Sequence, residues 1–208
     1  MASPSPIPSS LAQRTEQWFQ RARASLLGQV PCRPGCARCC IGPFPITVLD
    51  RERLQEGLAG SRSDRRERIQ KQARIQVEAM ERLFPRLGHS PSLDEWPDPE
   101  IDRLVNEFHQ HPCPALSTDG LCELYEHRPL ACRSMGIPTE EGGRTIGACE
   151  IQTFVPIVRL PGILRDDADR LAGQEGLELE AYRATRNLTG EEILLPYGFL
   201  PPDRLDRA

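Results

Sequence analysis

Apolar residues recur at helical spacing along most of this chain. Leu11, Trp18, Ala22 and Leu26 fall on one side of a helix that Ser10 is placed to cap, and the pattern stops near Gly28, ahead of Pro31. Ile46-Thr47-Val48-Leu49 leads to Asp50, which reads as the N-cap of a helix through about Leu58. Ile69, Ala73, Val77, Met80 and Phe84 keep the same spacing in a longer helix, roughly Asp64 to Leu87, with charge on the opposite side. Ile101, Leu104, Val105 and Phe108 repeat it between Glu100 and Gln110, after a loop over His89–Pro99. Residues 164–188 read as helix with a break near Gly173 and Gly176. Thr153–Leu160 suggests a short strand interrupted by Pro156, and the segment from Leu194 a Pro-rich extension.

The expected fold class is therefore mostly α: a small helical domain with two irregular cysteine-rich metal-binding loops. The division that follows is a disordered Pro/Ser-rich N-terminus over 1–9, a cysteine-cluster domain over 10–160, and a C-terminal helical extension and Pro-rich tail over 161–208.

Composition sharpens this picture. Of the 208 residues, 38% are hydrophobic and 5% aromatic, so the core is modest and a metal knot would help to order its irregular segments. A formal charge of −4 offers no broad cationic field for nucleic acid or anionic lipid. Lys71 is the only lysine, which is as well explained by a mutational bias as by function. The start of the chain lacks the basic and apolar regions of a secretory signal, and no run approaches the roughly 18 apolar residues of a membrane helix. The expected location is cytoplasmic, where thiols stay reduced and clustered cysteines read first as ligands.

All eight cysteines lie between Cys32 and Cys149, four in each of two regions rich in Pro and Gly, and none in the helical tracts between. The first group is Cys32-Arg-Pro-Gly-Cys36-Ala-Arg-Cys39-Cys40. The two-residue gap between Cys36 and Cys39 can turn both sulfurs and nearby amides toward one ion. Cys40 directly follows Cys39, and neighbouring side chains tend to diverge, so the pair either grips different metals or strains the loop to reach one. The second group is Cys113, Cys122, Cys132 and Cys149. Asp119-Gly120 is a turn signal between the first two, and Pro129 suits the first turn of a short helix carrying Cys132. Arg128 and Arg133 lie near these sulfurs in sequence and would offset the negative charge of a thiolate site.

Cys36-Ala-Arg-Cys39-Cys40, Cys113-Pro-Ala-Leu, the run Gly120-Leu-Cys122-Glu-Leu-Tyr125-Glu-His-Arg128-Pro129-Leu-Ala-Cys132-Arg133 and the late Cys149 carry a resemblance. Over roughly residues 29–155 the chain resembles the YkgJ-like cysteine-cluster family of the CxxCxxCC type, described as zinc- or iron-chelating domains. A related domain occurs in flagellin lysine N-methylases. The family's first spacing is usually Cys-x-x-Cys, whereas three residues separate Cys32 from Cys36. The resemblance implies metal chelation by the cysteines and leaves reaction and substrate open.

The metal ligands expected are Cys36, Cys39, Cys40, Cys113, Cys122, Cys132 and Cys149, with Cys32 ranked behind them. Two four-thiolate sites, or one cluster and one ion, fit eight ligands. The cofactor is zinc or iron, the latter as an ion or an iron–sulfur cluster. His109 and His111 precede Cys113 but read as a solvated helix end, and Tyr125 as a packing residue with its hydroxyl at the surface. Glu123, Glu126 and Arg128 suit ion pairs that orient the ligands. No Ser/His/Asp set, phosphate loop or basic–aromatic groove is visible, so no catalytic residue is assigned and no nucleic acid or membrane partner is expected. A protein partner is not identifiable. Two other classes compete with a plain metal-binding module: an iron–sulfur enzyme or electron carrier acting in protein modification, and a disulfide-stapled interaction protein.

Overall fold

The computed structural model of the chain describes residues 10–26, 35–137, 139–141, 144–146, 160–188 and 190–201. Cys32, Cys149, the N-terminal segment and all of the expected strand but Leu160 lie outside them. The architecture is mostly helical, with two short antiparallel strand pairs. Among the described residues no helix is long and apolar enough to cross a membrane. The chain divides into two compact units, one of Met1–Pro31 with Arg133–Glu178 and one of Cys32–Cys132 with Leu179–Ala208.

In the first unit, α1 (Leu11–Ser25) opens with a capping box: the Ser10 hydroxyl accepts from the Gln13 amide while the Gln13 side chain accepts from the Ser10 amide. Its apolar side buries Leu11, Trp18 and Ala22. The Trp18 indole N–H donates to the Leu164 carbonyl at 2.8 Å, and Arg21 pairs with Asp167 at 2.9 Å. Both of those partners lie on α7 (Gly162–Arg186). This helix is continuous, and the break expected at Gly173 and Gly176 is absent. Each glycine costs helix propensity but blocks no hydrogen bond, and Gln174 donates to Glu178 at 2.6 Å across the weak stretch. Strands β2 (Thr139–Glu141) and β3 (Arg144–Ile146) form a hairpin.

The second unit is organised by its C-terminal segment. β1 (Pro45–Thr47) pairs antiparallel with β4 (Glu192–Leu194), with Ile46 opposite Ile193. β4 leads directly into a one-turn helix, α8 (Leu195–Gly198). As far as residue 201, the expected Pro-rich extension is thus a core element. Leu194, Leu195, Tyr197, Phe199 and Leu200 are all buried, and Pro196 occupies the first helical turn, where its missing N–H costs nothing. α8 packs on α2 (Val48–Ala59) and α3 (Ser63–Leu83). The Gln55 amide on α2 donates to the carbonyls of Gly198 at 2.7 Å and Leu200 at 2.9 Å.

Element boundaries shift for local reasons. The N-cap of α2 is Thr47, not Asp50: strand pairing ends at Thr47, whose hydroxyl accepts from the Asp50 amide at 3.3 Å. α3 stops at Leu83 because Pro85 cannot continue it, and a separate turn, α4 (Arg86–His89), follows. α5 (Asp98–Glu107) begins inside the expected loop, since Pro99 is tolerated in the first turn and Asp98 and Glu100 favour a helix N-terminus. Ile69, Ala73, Val77, Met80, Leu104 and Phe108 join the C-terminal residues in one core, with Cys113 and Cys122 packed against it.

Two stability outcomes follow. Phe199→Ala should lower unfolding free energy by roughly 3–5 kcal/mol in urea titration, because a fully buried ring is lost. Gly173→Ala and Gly176→Ala should each raise it by up to about 1 kcal/mol, since both sites are helical and a methyl there meets no other atom.

Candidate metal centre

Short backbone pairings join the two cysteine-bearing loops. In the first, Arg38–Cys40 forms a single 3₁₀ turn, closed by the Cys40 amide on the Ala37 carbonyl at 3.0 Å. The chain then runs beside the second loop: Ile41 bridges Pro112, the Cys113 amide donates to the Cys40 carbonyl at 2.7 Å, and the Gly42 amide to the His111 carbonyl at 2.7 Å. Cys40 and Cys113 are thereby fixed side by side.

Cys113 and Cys122 lie on the two arms of a hairpin-like loop, as the Asp119-Gly120 signal predicts. Leu116 bridges Cys122, the Ser117 amide donates to the Leu121 carbonyl at 2.9 Å, and Gly120 takes a φ of +76° that its missing Cβ permits. α3 holds this loop from outside. The buried Gln76 amide donates to the Pro112 carbonyl at 2.7 Å, and Arg68 forms an ion pair with Glu123.

Cys132 sits on α6 (Leu130–Ser134), and α2 anchors the segment that carries it. The Leu130 amide donates to the Asp50 carboxylate at 2.7 Å. Further along α2, Gly57 faces the 3₁₀ turn Tyr125–His127, where an added Cβ would stand 2.7 Å from the Cβ of His127. This close approach requires glycine.

The sulfurs act on one another's charge state. The Cys40 thiol hydrogen-bonds to Cys39 and holds the latter below the ordinary thiol range against the opposing effect of burial, with the Arg128 guanidinium adding in the same sense. The same hydrogen bond, then burial, then the charges of Cys39, Cys113 and Cys132 push Cys40 up. Burial pushes Cys113 up to about 12, with Cys122 and Cys39 contributing, although the amides of Ala115 and Leu116 hydrogen-bond to its sulfur. Burial pushes Cys132 up as well, followed by the charges of Cys113, Cys39, Asp50 and Cys122. Cys39, Cys113, Cys122 and Cys132 therefore share one electrostatic neighbourhood, with Cys40 attached to it.

Half-buried Cys36 lies two residues before the 3₁₀ turn, and none of Cys36, Cys39, Cys40, Cys113, Cys122 and Cys132 is joined in a disulfide. Among the described residues no three His, Cys, Asp or Glu side chains close a coordination sphere as they stand. The donor set nevertheless suits a thiophilic metal, being several desolvated thiols with backbone amides aimed at one sulfur.

The flanking residues settle into other roles. Arg128 stacks over the half-exposed Tyr125 ring at 4.0 Å. Buried Arg133 pairs with Glu16 at 3.4 Å. The His109 Nδ1 lies 2.6 Å from the Asn106 carbonyl, and the His111 ring packs on Phe108. Sequence reasoning missed Asp50 as an anchor, Gly57 and Gln76. Only Gln76 left a signal, as a polar residue within the apolar stripe of α3.

A family model matches residues 31–150, well over half the chain. The chain belongs to the CxxCxxCC family. Its description is a putative zinc- or iron-chelating domain, and the match takes in all eight cysteines. No curated protein and no solved structure matches the chain. The family assignment agrees with the resemblance carried by the Cys122–Arg133 run.

The raised Cys113 thiol gives a pH dependence in metal-free protein. Between the ordinary thiol value, about 8.5, and about 12 the unfolded chain has released a proton that the folded chain retains. Fewer protons on the unfolded state means that stability falls as pH rises through this window, and is fully present below it. Urea midpoints measured with chelator and reductant from neutral to strongly alkaline pH should fall, and Cys113→Ala should flatten the slope.

Proposed function

We propose that this protein binds zinc or iron through its cysteine thiolates, as a metal-binding module. Cys39, Cys113, Cys122 and Cys132 form the centre of the ligand set, and Cys36, Cys40, Cys32 and Cys149 supply further sulfurs. The observation that carries this reading is the backbone pairing that sets the Cys40 loop beside the Cys113–Cys122 loop, segments far apart in sequence, in a chain of a zinc- or iron-chelating family.

The chemistry is one of charge balance. Desolvated thiols at Cys113 and Cys132 hold their protons without a cation, and a divalent ion displaces them, so metal uptake releases protons. Arg128 favours the anionic form of Cys39. The amides of Ala115 and Leu116 provide the N–H···S bonds that stabilise a metal-bound thiolate at Cys113.

A second reading, an iron–sulfur protein acting in electron transfer or protein modification, draws on those same amides, because hydrogen bonds to sulfur tune cluster potentials. The disulfide-stapled alternative draws no support from the six described cysteines.

Anaerobically purified protein should carry at least one tightly held equivalent of metal and lose part of its helical circular dichroism when stripped. Cys113→Ser and Cys132→Ser should each lower the retained metal severalfold. Less than one equivalent in the wild type would overturn the proposal. Acid-labile sulfide and visible absorption bleached by dithionite distinguish a cluster from zinc or mononuclear iron.

A further inference from the structure

We infer that Asp50 is a positioning residue of the metal centre: its buried carboxylate fixes the start of α6 and, through it, the direction of Cys132. This rests on the metal-binding reading above and assigns a role outside the cysteine set.

The geometry is specific. Asp50 is 1% exposed, in the first turn of α2, and one carboxylate oxygen accepts from the Leu130 amide at 2.7 Å. α6 has five residues, far fewer than a helix needs to persist alone in water. The first amides of a helix lack intrahelical partners, and a carboxylate placed there supplies an acceptor and complements the helix dipole. Cys132 follows Leu130 by two residues, so a change in where the helix begins rotates its sulfur. Asp50 is itself held, since α2 is capped by Thr47 at the end of β1, and β1 is pinned by β4. The Gly57–His127 approach fixes the other end of the segment, leaving α2 as a rigid edge along which the Cys132 strand of chain is laid.

The carboxylate also acts on Cys132 through space. Its role through the hydrogen bond and its role as a charge are separable, because asparagine keeps the acceptor oxygen and removes the charge.

The test is anaerobic titration of the full-length metal-free chain with cobalt(II), read by the thiolate-to-cobalt charge-transfer band, with amide hydrogen exchange at Leu130–Ser134 measured on the same samples before metal is added. Asp50→Ala should weaken cobalt binding at least about tenfold and speed exchange across α6. Asp50→Asn should stay within about threefold of wild type in both readouts. Leu87→Ala, which opens a cavity in the same core and is studied where it remains folded, should keep the wild-type cobalt affinity, which separates positioning from lost stability. Cobalt affinity of Asp50→Ala within twofold of wild type would overturn the inference, as would equal loss in the alanine and asparagine variants. A wild-type chain that binds no cobalt defeats the metal reading instead; the anchoring then stands or falls on the exchange data, and unchanged exchange in Asp50→Ala overturns it.

Discussion

The hydrogen bond from the Cys113 amide to the Cys40 carbonyl, 2.7 Å long, joins two loops that the chain reaches at very different points along its length. With the Ile41–Pro112 bridge and the Gly42–His111 bond it makes a short antiparallel register that places one cysteine-bearing loop against the other. A side-chain contact would leave the loops free to slide, whereas backbone pairing fixes their offset to the residue. The placing of the sulfurs depends on this offset. Once Cys40 and Cys113 are neighbours, the hairpin brings Cys122 and the Asp50 anchor brings Cys132 within electrostatic range.

The supports of that register come from regular structure. α3 presents Gln76 to the Pro112 carbonyl and Arg68 to Glu123, while α2 presents Asp50 and Gly57 to the segment ending at Cys132. Loops of this kind bury little apolar surface and cannot order themselves. The rigidity is borrowed from two helices whose positions are set by the buried run from Leu194 to Leu200.

The helices were largely legible because their apolar spacing survives tertiary packing: Ile69, Ala73, Val77 and Met80 are each buried where the period puts them. The cysteine loops were legible as loops, and the Asp119-Gly120 turn as a hairpin, because glycine at φ +76° is a local requirement. Two features mislead for the same reason. Pro196 with the prolines beyond it points to a Pro-rich extension, and Gly173 with Gly176 to a break, because local composition carries no packing context. Leu194-Leu195-Pro-Tyr197-Gly-Phe199-Leu200 is apolar on every side, the mark of a segment buried all round, and that outweighed its proline. The role of Asp50 was not legible at all. It arises from a contact with Leu130 that no local pattern encodes, and Asp50 offered a sufficient local explanation as a cap.

The same contact explains why the centre calls for a cation. Burial raises Cys113 and Cys132, and the Asp50 carboxylate raises Cys132 further, so the segment that α2 anchors disfavours thiolate charge when unaided. Protonated thiols satisfy the charge but are weak hydrogen-bond partners, and they leave the sulfurs without a common point to face. A divalent ion bound there would supply both the charge and that point, in exchange for the thiol protons. The fold alone brings the thiols into one neighbourhood without closing a coordination sphere among the described residues. On the metal-binding reading, convergence of the sulfurs would be what a bound ion adds, and the backbone register between the loops fixes which of them lie side by side to receive it.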